Sequence, residues 1–393
     1  MPLLPRYGCR NLLASADLHG IVIHHLVLLT GEMIPERPDT MIRSKAALKM
    51  LAVLLLLVLC GLCAAAQADT VSPAGLNEAM KYLKKNKPSE LTIESGRFKP
   101  SELIQVKNAL PEGAEFHFTV TWGGVSWSDT TTELDLTGLK GAVTKAELEA
   151  VISLCPDIKY INNSAKRYPT NDDMIELIDK YPNIQFDWIV SFGKGHYCPT
   201  NATTFSTMNP PSSGKELTSQ KMELLKYVPH LKALDLGHNK LTTLDFLQYV
   251  PELELLIIGQ NEVKDITPIG QLKNLQYAEL FTNPFTDLSP LAYCLELLDL
   301  NITNCKAPDL SPLDGLQKLE RLWANMIKGL TDEEKERFKS VHPNCQVDFQ
   351  PSHAATVDGW RKHIRYKHYI WCFKNHKWYS FNEEIPGVKL EVK

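Results

Sequence analysis

The chain has 393 residues, 22% of them charged, with a formal net charge of −4. That balance argues against nucleic acid as a partner, because neutralising phosphates needs a basic excess. Its 24 prolines and 21 glycines are ordinary and point to many turns rather than to disorder.

Residues 1–40 hold one apolar run, Ile21 to Leu29, broken by His24 and His25 and too short to cross a bilayer. No structure is expected there. Met41 opens a stronger pattern: Arg43, Lys45 and Lys49, the apolar stretch Leu51 to Leu62, then Ala66-Gln-Ala68 before Asp69. A basic flank, an apolar run and small residues at A-x-A describe a secretory signal peptide over 41–68. Translation is then expected to start at Met41, leaving 1–40 as an extension that is not made. The competing reading is an uncleaved anchor, since Met50 to Ala66 approaches the ~17 apolar residues of a short span. A membrane would be met only through that segment. Cys60 and Cys63 each follow a Leu, which disfavours a lipid-anchored cysteine.

Beyond this lie Cys155, Cys198, Cys294, Cys305, Cys345 and Cys372. Export permits disulfides, but no C-x-x-C or finger spacing selects a pairing, and zero or one bridge is expected.

Residues 69–214 read as loose units, each a helix followed by a strand. Ser101 to Leu110 leads to Phe116–Val120, Thr144 to Ile152 leads to Ile158–Ile161, and Asp172 to Lys180 leads to Ile184–Ile189. Thr144 with Glu147 forms a capping-box pattern. Pro111, Pro156, Pro182 and Pro229 sit between helix and strand as stops. Ser191 to Gly214, rich in Gly, Ser, Thr and Pro, is longer than a structureless loop should be and reads as an insertion. Sequons at Asn162, Asn201 and Asn301 are expected to be inert.

Residues 215–350 repeat themselves. Leu231-Lys-Ala-Leu234-Asp-Leu236-Gly-His-Asn239 recurs 22 residues on, from Leu253 to Asn261, and again 22 residues later, from Leu275 to Asn283. This is the pattern L-x-x-L-x-L-x-x-N. The second and third leucines alternate at period 2, so they share one face of a short strand, which neighbouring units must bury by stacking. Asn239, Asn261 and Asn283 are expected to form a ladder that satisfies backbone groups at the bends. The register is read as continuing from Leu295 with Leu298 and Leu300, then from Leu319 with Leu322. Between strands, Asp265-Ile-Thr-Pro268-Ile, Asp287-Leu-Ser-Pro290-Leu and Asp309-Leu-Ser-Pro312-Leu place Pro at the start of a short helical turn, with the preceding Thr or Ser as cap.

Together, these two patterns resemble the internalin-like repeats of bacterial surface and secreted proteins, from Leu217 to Leu322. The resemblance implies an α/β leucine-rich repeat solenoid, here with irregular N-terminal helix–strand repeats, secreted or at the cell surface. It contains no catalytic motif.

Residues 351–393 change character. Gly359-Trp-Arg361-Lys-His363-Ile-Arg365-Tyr366 is basic and aromatic and resembles a box closing uncharacterised gut-bacterial members of that family. Trp360 and Tyr366 are expected to cap the last open coil. Tyr369 to Phe381, with aromatics on both sides of Lys374–Lys377, reads as a hairpin. His368-Tyr, Asn375 and Trp378-Tyr-x-Phe381-Asn resemble the histidine box of ubiquitin-specific proteases, without that family's cysteine box at Cys155. His368, Cys372 and His376 would share a helical face, but a strand would spread them, and a fourth zinc ligand is missing.

If the strands line the hollow of the coil, the residues alternating with the buried leucines face into it. They include Asp235, Ile257, Tyr277, Glu279, Phe281, Asp299, Arg321 and Trp323, an aromatic and aliphatic centre among charges that suits a protein partner. The expectation is a non-enzymatic exported module that binds a protein through this concave face, with no cofactor and no metal. A hydrolase with its histidine in the tail, which would need a Cys or Ser beside His363 or His368, and a structural envelope spacer are the alternatives.

Overall fold

The computed structural model describes residues 68–393 except 166, 194, 209–216, 352–355, 357–358 and 391–393. The signal segment before Ala68 and the extension before it lie outside the described residues. Among the described residues no helix is long and apolar enough to cross a membrane.

Strands and helices alternate from the start. In order they are β1 (Ala68–Val71), α1 (Leu76–Leu83), β2 (Glu90–Ile93), α2 (Pro100–Asn108), β3 (Glu115–Trp122), β4 (Val125–Ser128), β5 (Glu133–Asp135) and α3 (Lys145–Leu154). There follow β6 (Tyr160–Asn162), α4 (Asn171–Lys180), β7 (Gln185–Asp187), β8 (Ile189–Gly193), β9 (His196–Pro199), β10 (Thr204–Ser206) and the single turn α5 (Ser219–Met222). The regular part carries β11 (Ala233–Asp235), β12 (Leu255–Ile257), β13 (Tyr277–Glu279), β14 (Asp299–Asn301) and β15 (Arg321–Trp323). It closes with α6 (Asp332–Val341), β16 (Gln346–Asp348) and α7 (Ile364–Asn375).

Three parallel runs result. β1, β2 and β3 pair in parallel, with β4 folding back on β3. β5, β6 and β7 form the second run, and β10 to β16 form a seven-stranded parallel sheet, one strand per coil. The stretch read as an insertion supplies the end of β8, the hairpin partner β9 and the first strand, β10, of the long sheet. Each coil is therefore a strand and a crossover, and one continuous apolar core from Ala79 to Phe338 joins all the coils. The α/β leucine-rich repeat solenoid is the fold.

The inward leucines do what their period requires. Leu231, Leu234, Leu236, Leu253, Leu256 and Ile258 are fully buried, and burial of such a side chain stabilises by roughly 1.5–3 kcal/mol before conformational entropy is counted. The register beyond Asn283 differs from the sequence reading. Asp299 pairs with Tyr277 and Arg321 with Asp299, so the 22-residue step is unbroken and the unit begins at Leu297. Leu297 is buried whereas Leu295 is exposed. Three leucines within four residues left the register ambiguous in the sequence, and pairing with β13 chooses the one that keeps Leu297, Leu300 and Ile302 inside.

At each bend an asparagine serves two coils. Asn261 Nδ2 donates to the carbonyls of Ile258 (2.9 Å) and of Leu236 one coil back (3.0 Å), while its Oδ1 accepts from Leu241 N (2.9 Å). Asn283 repeats this with Leu280, Ile258 and Val263, and Asn239 donates to Leu236 O and Thr207 Oγ1 while accepting from Leu217 N. Cys305 takes the next place, its thiol donating to Leu280 O at 3.4 Å, an alternative the repeat pattern allows. The residue before each bend, His238, Gln260, Thr282, Asn304 and Met326, has φ between 54° and 58°. None is glycine, so each of these five coils carries one left-handed residue that its neighbours must hold.

Turn chemistry is shared differently from the sequence reading. Ahead of Pro268, Pro290 and Pro312, the aspartate does the capping: Asp265, Asp287 and Asp309 each accept from the backbone N–H two residues on. Hydrogen bonds from Thr267, Ser289 and Ser311 hold the three carboxyls below the usual range. At α3, Thr144 Oγ1 accepts from Glu147 N at 3.2 Å, but the Glu147 carboxylate leaves the cap and accepts from Ser101 N (2.8 Å) and Ser101 Oγ (2.7 Å), tying α2 to α3. All six described cysteines are free thiols.

The C-terminal segment is the main departure. A helix, α7, stands where a hairpin was expected, with His363 Nδ1 as cap acceptor from Arg365 N. Aromatic residues have low intrinsic helix preference, and tertiary burial of Tyr369, Cys372 and Phe373 overrides it. Nor do Trp360 and Tyr366 cover the end of the coil. That end is already closed by α6 and β16 through Phe338, Val347 and Phe349, and the segment instead turns back across the open face of the long sheet.

Candidate functional site: the concave face and its occupant

Side chains that alternate with the core leucines form the second apolar cluster of the molecule. Ala233, Leu255, Ile257, Tyr277 and Trp323 come from the sheet; Trp360, Tyr369, Cys372, Phe373, Trp378 and Ile385 come from the C-terminal segment. Parallel in-register pairing sets Leu255 beside Tyr277 and Asn301 beside Trp323, so the concave residues lie in rows across the coils. Gly259 opens one row: an added Cβ there would meet the Phe281 ring at 2.4 Å, so glycine makes room for that ring on the neighbouring coil.

Sequence reasoning places Asp235, Ile257, Tyr277, Glu279, Phe281, Asp299, Arg321 and Trp323 on this face. All eight are at most 8% exposed. Residues 359–390 of the chain's own tail touch Tyr277, Glu279, Asp299, Arg321 and Trp323 and share an apolar cluster with Ile257, so the hollow that the sequence reading left free for a partner is filled.

The contact has the anatomy of a recognition surface. Trp360 is fully buried, its ring 5.2 Å from Trp323 and 5.5 Å from Tyr277, with the Arg321 guanidinium 4.4 Å from its centroid. Tyr369 meets Tyr277 edge-on at 5.1 Å. Such pairs add about 0.5–1.5 kcal/mol each beyond their burial.

Two buried carboxylates organise the polar part. Glu279 Oε1 accepts from Tyr277 OH (2.5 Å), Trp360 Nε1 (2.8 Å) and Tyr369 OH (3.1 Å). Burial, reinforced by the Glu279 charge, holds both phenols well above their usual range, so they remain donors. Asp299 accepts from Arg321 Nε (2.9 Å) and Nη2 (2.6 Å) and from Arg365 Nη1 (2.7 Å). Arg365 also reaches Glu320, and Arg321 Nη1 donates to the Trp360 carbonyl at 3.2 Å. A third acid, Asp235, accepts from Gly237 N and Ser206 Oγ; burial pushes its carboxyl up to about 6, against the opposing pull of Arg361. Further along, Trp378 N donates to Thr203 Oγ1 (2.8 Å) and Ser380 Oγ to Glu254, so the tail runs from β15 back to the edge of β10.

Glu254, Glu320 and Thr203 were not singled out in the sequence, and neither were the roles of Trp360, Arg365 and Tyr369. The available signal was charge complementarity between three acids on the sheet and the arginines of the G-W-R-x-H-x-R-Y box.

The tail histidines serve structure. Helix α7 puts His368 and Cys372 on one helical face, correcting the strand assignment, but His376 is the left-handed residue that ends the helix, and His368 Nε2 donates to the Tyr379 carbonyl at 2.7 Å. Among the described residues the one group of three metal-capable side chains in reach of one another is Glu90, Glu115 and His117, half-buried to exposed on β2 and β3. The hydrogen-bond partners of His363 and His368 are backbone groups rather than a Cys or Ser side chain. Burial raises the thiols, Cys155 and Cys345 to about 12 and Cys294 to about 11, which is the opposite of nucleophile activation.

No family model matches the chain, and no curated protein does. Solved structures are similar in part, three of them as follows. Internalin C2 of Listeria monocytogenes is 20% identical over 50% of this chain and 85% of its own, with a TM-score of 0.28. Internalin F of the same organism is 14% identical over 71% and 88%, with a TM-score of 0.34. A leucine-rich repeat protein of Leptospira interrogans is 14% identical over 67% and 90%, with a TM-score of 0.28. At these scores the likenesses carry no weight for the function of this chain.

Proposed function

We propose that this chain is a non-enzymatic, exported scaffold that binds a protein partner through the concave face of its repeats. One observation supports the reading above others: that face already holds a folded polypeptide segment, residues 359–390, with aromatic anchors at the centre and charge pairs around them. Buried aromatics and arginine ringed by polar groups are what hot spots of protein interfaces are made of. The binding residues are Asp235, Ile257, Tyr277, Glu279, Phe281, Asp299, Arg321 and Trp323.

The test uses the exported chain and partner proteins from its own surroundings, followed by hydrogen exchange on the captured complex. Slowed exchange in β11 to β15, together with release of α7, is the expected outcome. A partner that protects only the opposite, crossover side of the coil would refute the assignment of the face. For export, N-terminal sequencing of protein recovered outside the cell should begin at Asp69.

A further inference from the structure

We infer that the concave face is a receptor for a basic, aromatic segment that presents an indole from a short turn and, on the helix that follows, a guanidinium five positions on and a phenol four further, and that residues 359–390 fill it as a displaceable stand-in. This rests on the concave face being the binding surface, and it names what that surface binds.

Three observations carry it. First, the tail belongs to its own apolar cluster. The core that stacks the coils runs from Ala79 to Phe338 and includes no residue of the segment 359–390, so the segment can leave without opening that core. Second, the cover is a poor design for a permanent lid. It covers two buried carboxylates, Glu279 and Asp299, the second paired with Arg321 and Arg365, and replacing buried ion pairs by apolar residues of similar size is commonly neutral or stabilising. Carboxylates in a face of aromatics select a ligand; they do not strengthen a seal. Third, the acceptors fit one ligand pattern. Glu279 takes the Trp360 indole and the Tyr369 hydroxyl on the same oxygen, and Asp299 with Glu320 takes Arg365. Arg321, held by Asp299, stacks on the indole from the other side.

An incoming helix must compete with a tethered one. The tail belongs to the same chain as the face it covers, so the apparent affinity of any partner falls by the fraction of chains that are open.

The experiment adds a fluorescent synthetic peptide of residues 359–390 to the full chain and to its Arg365→Glu and Trp360→Ala variants, reading anisotropy, with hydrogen exchange over 364–375 reporting the state of the tail. Opened tails and peptide binding at least tenfold tighter than to the unaltered chain are expected, and peptides carrying the same changes should not bind. Arg365→Glu changes the contacts to buried Asp299 and exposed Glu320 and leaves the ring contacts of Trp360 in place, so it remains informative if Trp360→Ala fails to fold. Fast tail exchange with no peptide bound overturns the inference. So does a tail that stays as protected as β11 to β14 in both variants, since it would then be part of the core. Peptide binding without any captured foreign partner would leave this inference standing and remove the proposed function.

Discussion

Asp299 is where the sheet, the tail and the charge balance of the concave face meet, and its replacement by Asn makes the sharpest test of the packing described above. The side chain is fully buried and accepts three charge-assisted bonds, two from Arg321 and one from Arg365. Asn keeps the shape but removes the charge, and its amide NH₂ points a donor at a guanidinium. Arg321, itself 3% exposed, keeps the Trp360 carbonyl as acceptor and loses its countercharge. Breaking a buried pair in this way costs about 3–5 kcal/mol. Arg365→Ala is milder, because Asp299 keeps Arg321 and the Glu320 end is solvent-exposed; losing one charged hydrogen bond there costs about 1.5–3 kcal/mol. Since the two share Asp299, the double variant should fall short of additivity by about 1–2 kcal/mol. Urea titration gives the global term and hydrogen exchange over α7 the local one, with Arg365→Ala expected mainly in the second. A Asp299→Asn protein within 1 kcal/mol of the parent, with α7 equally protected, would refute the account of this face.

Other consequences are as direct. Asp235 has its carboxyl raised to about 6 by burial, above its unfolded value, so the folded chain prefers the protonated form and loses stability as pH rises from about 4 to about 6. Asp235→Asn removes that dependence: equal to the parent near pH 4 and more stable by roughly 2–3 kcal/mol above pH 6.5, from denaturation midpoints across pH. Asn261→Ala strands the Leu241 N–H in the core, while the Leu236 and Ile258 carbonyls keep Asn239 and Asn283 as donors, and should cost about 1–3 kcal/mol by urea titration. At the left-handed positions the sign reverses, and Thr282→Gly, which relieves a β-branched residue at φ 54°, should raise stability by about 1 kcal/mol in thermal melts.

The repeat was legible because its information is local. Leucines at fixed offsets, an asparagine at the ninth place and Asp before Ser-Pro or Thr-Pro each act within one coil or on the next, and the fold follows from them. Where several leucines crowd together, as at 295–298, local pattern ran out and packing decided. The parity of the concave residues was legible too, since period 2 fixes it, but their burial was not. Trp360 meets Glu279, and Tyr369 meets it as well, 81 and 90 residues along the chain, and nothing periodic links those positions. The tail itself misleads local reading, because Tyr369-Ile-Trp-Cys-Phe373 has the composition of a strand while its partners on the sheet hold it as a helix.

Repeat proteins can ordinarily gain or lose whole units, since each coil knows only its neighbours. Here the tail touches β15 and β13 through Trp360 and the threshold of β10 through Trp378, so it has a fixed reach measured in coils. Deleting the 22 residues from Leu253 to Asn274 would preserve every strand pairing rule yet bring those landing points about 4.8 Å closer. The segment thus acts as a length standard, and this molecule's copy number is pinned by a part that lies outside the repeats.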